Sequence, residues 1–224
     1  MTKTIESFGW RKKRAQRIMR VLQRLFPKAR TALRYRTPWE LLVAVMLSAQ
    51  CTDKRVNAVT KTLFKKYGTV RAFARVSQKE LERAIYSTGF YRMKAEHIRE
   101  SAKIICGRFD GNVPRTMEEL LTLPGVARKT ANIVLGIAFR KIEGIAVDTH
   151  VRRFALKFGL TDHDDPKRIE RDLMALIPRR EWLDFNHRLV EYGRVYCPAR
   201  RHDCAAHPLT KIYPKAAGIW PKGK

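Results

Sequence analysis

Two side chains of this sequence have the types and the spacing for covalent chemistry. Lys129 carries an amine that can attack a carbon atom, and Asp148, 19 positions later, carries a carboxylate that can steer it. A lysine taken in isolation is more often a surface residue that binds phosphate. The pair together favours an enzyme over a protein that only binds.

A tight turn is predicted just before the lysine, in residues 123–131, Leu-Pro-Gly-Val-Ala-Arg-Lys-Thr-Ala. Pro124 and Gly125 favour the turn, because glycine readily takes a positive φ angle. We expect a helix to start near Ala127, and the N–H groups of its first turn can then bind a phosphate oxygen. Such a contact positions a nucleic acid without reading its sequence. An ordinary corner between two helices is the alternative for this segment.

The elements that must position these residues are predicted to be helices. Capping boxes, in which a Ser or Thr is followed three residues later by Glu, occur at 37–40, 77–80 and 116–119. The sequence has no sustained alternation of apolar and polar residues, which half-buried strands would need. We therefore predict an all-α fold.

The composition indicates a polyanionic partner. The 224 residues carry 47 Lys and Arg against 21 Asp and Glu, a formal net charge of +26, and 45% of them are apolar, enough for a core. Nucleic acid is the first candidate for such a partner. A membrane is the weaker candidate, since the longest apolar run, 41–47, has seven residues and a spanning helix needs about 20. Four cysteines without a visible secretion signal indicate a reducing, intracellular compartment.

Three ordered motifs resemble those of the endonuclease III family, within the helix-hairpin-helix DNA glycosylase superfamily. They are Leu-Ser-Ala-Gln-Cys-Thr-Asp at 47–53, Leu-Pro-Gly-Val-Ala-Arg-Lys-Thr-Ala-Asn at 123–132 and Ala-Val-Asp-Thr-His-Val at 146–151. The resemblance runs from about residue 35 to residue 204, in order and at close to the family's spacing. Three motifs in order are far more specific than one.

The resemblance implies two helical domains that flank a DNA-binding cleft. Residues 31–141 would form a six-helix domain with the helix-hairpin-helix motif, and residues 1–30 and 142–224 would form a second domain from both chain ends. The damaged base would be flipped out of the duplex into the cleft.

The resemblance also implies a reaction. Lys129 matches the family's nucleophile, which attacks C1′ of the damaged nucleotide, displaces the base and forms a Schiff base that permits β-elimination of the 3′ phosphate. Asp148 matches the catalytic carboxylate, which would take a proton from the amine or stabilise positive charge at the sugar; the sequence leaves both roles open. We expect a bifunctional DNA glycosylase and AP lyase that repairs oxidised pyrimidines.

Further positions are implied to contact DNA. Gln50 matches a residue that enters the gap left by the flipped nucleotide; the alternative is a polar residue at a helix end. Phe90 aligns with an apolar wedge, and the alternative is a core aromatic residue. His150 either supports the site or is a packed histidine. The remaining expected contacts lie in the hairpin, at Gly125, Ala127, Arg128 and Thr130.

Many family members end in a loop with four cysteines, spaced C-x6-C-x2-C-x5-C, that holds a [4Fe–4S] cluster. Cys197 and Cys204 keep the first spacing here, but His207 and Tyr213 stand at the third and fourth positions. A cubane normally needs four thiolates, so we predict no iron–sulfur cluster. A Cys₂His₂ zinc site that also used His202 would have tighter spacing than usual. We therefore expect a loop without metal, and no cofactor.

The expected partner is double-stranded DNA with a damaged base or an abasic site, with no membrane association, and the chain is expected to act as a monomer. The expected location is intracellular, in the cytoplasm or nucleoid, or in the nucleus or an organelle of a eukaryote. Two alternatives remain at this point. One is a glycosylase for a different damaged or mismatched base, and the other is a non-catalytic helix-hairpin-helix protein that binds DNA.

Overall fold

The computed structural model describes residues 7–220; residues 1–6 and 221–224, at the outer ends of the domain predicted from both chain ends, lie outside it. The regular structure of residues 7–220 is helical and includes no strand, which confirms the all-α prediction there. No helix within these residues is long and apolar enough to cross a membrane. The α-helices are α1 (Phe8–Leu25), α2 (Pro38–Leu47), α3 (Asp53–Lys66), α4 (Val70–Arg75), α5 (Gln78–Ile85), α6 (Tyr91–Arg108), α7 (Met117–Leu120), α8 (Arg128–Phe139), α9 (Thr149–Lys157), α10 (Pro166–Leu176) and α11 (Trp182–Val195).

Side-chain caps start three of these helices where the sequence predicts them. The hydroxyl oxygens of Thr37, Ser77 and Thr116 accept hydrogen bonds from the backbone N–H three residues later, at 3.1, 3.2 and 3.3 Å. Each bond satisfies an N–H group that has no partner within its helix. Pro38 follows the first cap at a position where its missing N–H costs nothing. The starts of α2, α5 and α7 are therefore set by local sequence.

Two compact units divide the chain. We call Ala32–Glu143 the central unit; it contains α2 to α8. The other, which we call the terminal unit, comprises Met1–Thr31 and Gly144–Lys224, and its described part contains α1 and α9 to α11.

The core of the central unit is organised around α2. Nine of its 10 residues are buried, as expected of a helix that is apolar on all sides. It packs against α8, and α4 and α5 pack against α6. Leu42, Leu47 and Leu135 are completely buried, and each such side chain stabilises the fold by about 1.5–3 kcal/mol. The helix that carries Lys129 is thus fixed through its apolar face.

The core of the terminal unit contains a cluster of aromatic rings from α9 and α11. The ring of Phe154 lies 5.8 Å from Phe158 and 5.3 Å from Tyr192, measured between centroids. The buried hydroxyl of Tyr192 accepts a hydrogen bond from the N–H of Leu209 at 3.3 Å. The cluster therefore packs the second half of α9 against α11, and Tyr192 also holds the loop that follows α11.

Candidate functional site

The turn before α8 is built around a glycine. Gly125 has a φ angle of 75°, and a Cβ atom there would lie 2.7 Å from Nδ1 of His97 on α6. Ser101, also on α6, donates a hydrogen bond to the carbonyl oxygen of Pro124 at 3.0 Å. The predicted tight turn is present, and α6 holds it at two points. Only glycine fits this position without strain.

The N-terminus of α8 is open to a ligand. Ala127 is the N-cap residue, with a φ angle of −92° and no side-chain hydrogen bond to the helix, and the first turn has no acidic residue. Its negative φ angle means that alanine causes no strain at this position. Backbone N–H groups at such an end, together with the helix dipole, attract a phosphate group. Arg128 and Thr130 are half-buried, and Lys129 is exposed in this first turn.

The carboxylate of Asp148 caps α9. Its Oδ1 accepts a hydrogen bond from the N–H of Val151 at 2.8 Å, and the side chain is half-buried. The backbone just before it is also fixed, because Asn186 donates from its side-chain amide to the carbonyl of Ala146 at 2.7 Å. Asp148 lies in the terminal unit, whereas Lys129 lies in the central unit. The sequence predicted a catalytic role for Asp148 but not this capping role.

His150 lies against a glycine of the helix α11. A Cβ atom on Gly193 would collide with Nδ1 of His150 and would also approach the guanidinium of Arg153, at 3.1 Å. The histidine ring is half-buried there. This placement favours the packed histidine among the two alternatives. The signal for this packing in the sequence was Gly193, a glycine inside the otherwise regular helical pattern of α11.

Gln50 and Phe90 share an unusual backbone conformation and are both exposed. Their φ angles are 52° and 48°, in the left-handed region, which residues other than glycine seldom adopt. Phe90 exposes 58% of its side chain, so the alternative that it is a core aromatic residue is wrong. Tyr86 and Met93 are exposed nearby in sequence, by 65% and 51%. Exposed apolar side chains that lie so close in sequence are typical of a contact surface.

A buried lysine that the sequence analysis missed holds the segments leading to Gln50 and Phe90. Lys94 is 5% exposed, and burial lowers the pKa of its ammonium. Its Nζ donates hydrogen bonds, at 2.9, 2.8 and 2.8 Å, to the carbonyl oxygens of Leu47, Ala49 and Thr88. All three donors of the ammonium are thereby used. The only signal in the sequence was a lysine beside the apolar stripe of α6.

The loop after α11 brings together residues that can hold a metal ion. The Sγ atom of Cys197 and ring nitrogens of His202 and His207 lie within 4.8 Å of one another. Cys204 is buried but does not belong to this group, although the sequence analysis considered it as a fourth zinc ligand. The remaining cysteines, Cys51 and Cys106, lie in the central unit. The expectation of a loop without any metal site is therefore weakened.

Tyr213, at the position of the family's fourth cysteine, has a packing role. The guanidinium of Arg14 on α1 lies 4.1 Å from the centre of its ring, a distance typical of a cation–π contact. Its hydroxyl lies close to Gly159, where an added Cβ would be 3.3 Å away. The end of this loop is thus attached to α1 and to the segment after α9.

The chain is similar to known proteins in both sequence and fold. Residues 43–179 match the family described as HhH-GPD superfamily base excision DNA repair protein. An endonuclease III from Synechocystis sp. is 48% identical over 216 residues, which are 96% of this chain and 99% of that protein. The structure of a non-covalent endonuclease III–DNA complex matches with a TM-score of 0.87 and 42% identity, covering 92% of this chain and 96% of that one. The structure of a trapped endonuclease III–DNA covalent intermediate, an estranged-adenine complex, matches with the same values.

Proposed function

The chain belongs to the HhH-GPD superfamily of base excision DNA repair proteins and, within it, to the endonuclease III family; from this premise we propose that it is a DNA glycosylase and AP lyase that removes oxidised pyrimidines. Its substrate is double-stranded DNA with a damaged base, or with the abasic site that remains after the base is lost. The protein acts as a monomer. The reaction takes place in the compartment that contains the DNA.

One observation carries the proposal: Lys129 is exposed in the first turn of α8, directly after the hairpin turn at Gly125. The helix N-terminus and Arg128 would hold a phosphate of the damaged strand, which brings the sugar to the lysine. In its neutral form, the amine would attack C1′ of the nucleotide. A nitrogen–carbon bond forms, and the bond from C1′ to the base breaks.

The lyase step follows from the covalent product. Once the sugar ring opens, the lysine is joined to C1′ as a Schiff base, which acidifies the protons on C2′. Loss of one such proton expels the 3′ phosphate by β-elimination, and water then hydrolyses the Schiff base to release the lysine. The related trapped covalent complex is consistent with an intermediate of this kind.

Asp148 is proposed as the carboxylate that assists this attack. It would accept a proton from the amine, or stabilise the positive charge that develops at the sugar. The hydrogen bond from Val151 to Oδ1 fixes the orientation of the carboxylate. A fixed charge is effective because it does not have to reorganise during the reaction.

Gln50 and Phe90 are proposed to hold the duplex open. The amide of Gln50 would enter the gap left by the flipped nucleotide and form hydrogen bonds with the orphaned base. The exposed ring of Phe90 would act as a wedge between neighbouring bases. Flipping costs a few kcal/mol, and less where the damaged base stacks or pairs poorly. The ring of His150 packs against Gly193, and its DNA contact stays a prediction.

We also propose that the chain works without an iron–sulfur cubane. Such a cluster is normally held by four thiolates. Only Cys197 and Cys204 stand in the loop after α11, and the two cysteines of the central unit belong to a different part of the chain. The donor set of the loop therefore does not fit the cluster.

Chemical trapping tests the proposed nucleophile. The protein is mixed with a duplex that contains an abasic site, and borohydride is added to reduce a Schiff base to a stable cross-link. We expect the wild type to form the cross-link and Lys129→Ala to lose it. Lys103→Ala is the matched control, because Lys103 is an exposed lysine of the same unit that pairs with Glu100, and it should form the cross-link like the wild type. Absence of trapping with the wild type would leave a protein that only binds DNA.

The choice of base needs a separate measurement. We expect release of an oxidised pyrimidine from a duplex to be faster than release of a mismatched or deaminated pyrimidine, or of an oxidised purine. Lys129→Ala serves as the blank for each duplex. If a mismatch or a purine lesion is processed faster, the lyase chemistry remains but the assigned substrate is wrong.

A further inference from the structure

The two histidines of the loop after α11 have ring nitrogens without a visible partner. Nε2 of His202 and Nδ1 of His207 are buried, and neither forms a hydrogen bond within residues 7–220. Burial of an unpaired polar atom costs about 1–3 kcal/mol. Each of these histidines also has a ring nitrogen within 4.8 Å of the Cys197 sulfur, so unpaired nitrogens and a thiol occur together, as expected where a ligand belongs.

The other nitrogen of His202 already has a partner that suits metal binding. Nδ1 of His202 lies 2.7 Å from the carbonyl oxygen of Arg200. A carbonyl oxygen only accepts, so Nδ1 carries the proton, and in the neutral imidazole Nε2 then presents a lone pair. Histidines that bind metals almost always donate their second nitrogen to a carbonyl or a carboxylate in this way. His202 therefore already has the hydrogen bond to a carbonyl oxygen that metal-binding histidines have.

The distances within the group allow a single ion. Three atoms that are all within 4.8 Å of one another must lie within about 2.8 Å of some common point, whereas zinc bonds are about 2.0–2.1 Å to nitrogen and 2.3 Å to sulfur. Side-chain rotations that move each ligand atom by less than about 1 Å would bring all three to zinc-bonding distance.

Two buried cations, Arg153 and Lys157, lie near the sulfur of Cys197. Cys197 and Cys204 are almost completely buried, and the guanidinium of Arg153 lies 3.9 Å from the Cys197 sulfur. A second buried cation, Lys157, is 3.8 Å from the ring centre of Trp220 and donates to the carbonyl of Ile219 at 2.8 Å. Both cations have partners of their own, the carbonyl oxygens of Cys197 and Pro198 for Arg153 and that of Ile219 for Lys157.

We propose that this chain binds one zinc ion through Cys197, His202 and His207, with Cys204 or a water molecule as the fourth ligand. One sulfur and two imidazoles suit zinc, whereas calcium and magnesium prefer oxygen ligands. The ion would fix the loop in addition to the hydrogen bond that Tyr192 of α11 accepts from Leu209. The proposal does not depend on the glycosylase assignment, because it concerns loop structure and metal content alone.

Metal content of the purified protein is the first test. The full chain is produced without a histidine tag, and its metals are measured after dialysis. We expect about one zinc per chain and little iron. The stripped protein should then remove zinc from a colorimetric chelator with the same stoichiometry. Failure of the stripped protein to compete for zinc, or iron together with labile sulfide in the purified protein, would overturn the proposal.

Substitutions locate the site. We expect Cys197→Ser, His202→Ala and His207→Ala each to lose zinc, and Cys204→Ser to lose it only if Cys204 is the fourth ligand. The matched controls are Cys106→Ser in the central unit and His163→Asn, whose ring pairs with Asp172; both should retain zinc. Circular dichroism checks that each variant is folded. Retention of zinc by all three ligand variants would mean that the metal binds elsewhere.

Cobalt supplies a readout that does not require a variant of the site to fold. Cobalt in place of zinc should give a sulfur-to-metal charge-transfer band and the intense visible bands of a tetrahedral site. The ring of Trp220 lies 5.0 Å from the ring of His202. Bound cobalt should therefore also quench the fluorescence of Trp220. The variant Trp220→Phe should keep the absorption bands and lose most of the quenching. Cobalt absorption without a sulfur band would contradict Cys197 as a ligand.

Discussion

At the residue scale, the carboxylate of Asp148 has a structural task as well as the proposed catalytic one. Oδ1 caps α9 through Val151, so we expect removal of the side chain to change both stability and turnover. A substitution that keeps the cap and removes the charge separates the two effects. Asparagine does this, because Asn and Asp cap helices about equally well.

We therefore expect Asp148→Asn to leave the free energy of unfolding within about 0.5 kcal/mol of the wild type while turnover falls by about 100-fold or more. Asp148→Ala should lose turnover and also about 1 kcal/mol of stability, because the cap is gone. Denaturant unfolding and single-turnover base release measure the two quantities. Near-normal turnover in the asparagine variant would reduce Asp148 to a helix cap.

At the element scale, Lys94 connects the end of α2 with the turn before α6. Its ammonium binds three carbonyl oxygens, one of them 47 residues away. Gln50 and Phe90 follow the two segments that it holds, and both have left-handed backbone angles. Such strain persists only where the surrounding structure enforces it. Lys94 is thus expected to act on DNA indirectly, by positioning these two residues.

The variant Lys94→Met tests this role. We expect it to lower the free energy of unfolding by about 2–3 kcal/mol, since charge-assisted hydrogen bonds are lost and buried carbonyls are left unpaired. Affinity for a duplex with an abasic site should fall more than affinity for an undamaged duplex. Lys103→Met, on the exposed side of the same helix α6, should change stability by less than about 0.5 kcal/mol. Equal loss of affinity for both duplexes would show that Lys94 does not position the residues that open the duplex.

The hairpin turn at Gly125 is expected to contribute to both stability and DNA binding. Gly125→Ala should lower the free energy of unfolding by at least about 1–2 kcal/mol, because alanine is strained at a positive φ angle and its Cβ would press on His97. Binding to damaged and undamaged duplexes should weaken to a similar degree, since the phosphate contact does not read sequence.

Gly107→Ala is the matched control for the hairpin variant. Gly107 lies near the end of α6, and an added Cβ there would meet nothing within 4 Å. This change should leave DNA binding intact and stabilise the helix by up to about 1 kcal/mol. Weakened binding in this control would show that disturbance of α6, and not the turn itself, explains the effect of Gly125→Ala.

At the scale of the whole molecule, the sequence was sufficient where the determinants are local. Neighbours within a few residues determine the helical secondary structure and the turn at Gly125. They also determine the helix caps at Thr37, Ser77 and Thr116. The contact of Lys94 with Leu47 depends on tertiary packing, which no local pattern encodes. The grouping of loop histidines around Cys197 also became visible only in three dimensions.

The net charge of the whole chain, which belongs to no single residue, predicts how DNA affinity depends on salt. A formal charge of +26 on 224 residues implies that phosphate contacts supply much of the affinity for any duplex. Each contact releases a counterion, so six to ten of them reduce affinity by about 10³–10⁵-fold between 50 and 200 mM salt. Fluorescence anisotropy with an undamaged duplex over a series of salt concentrations measures this slope. Replacement of Arg128 by Gln should reduce its magnitude by about one, as expected for loss of one phosphate contact. A slope near zero for the wild type would mean that the positive charge serves something other than DNA, whereas an unchanged slope in the variant would place Arg128 away from the phosphates.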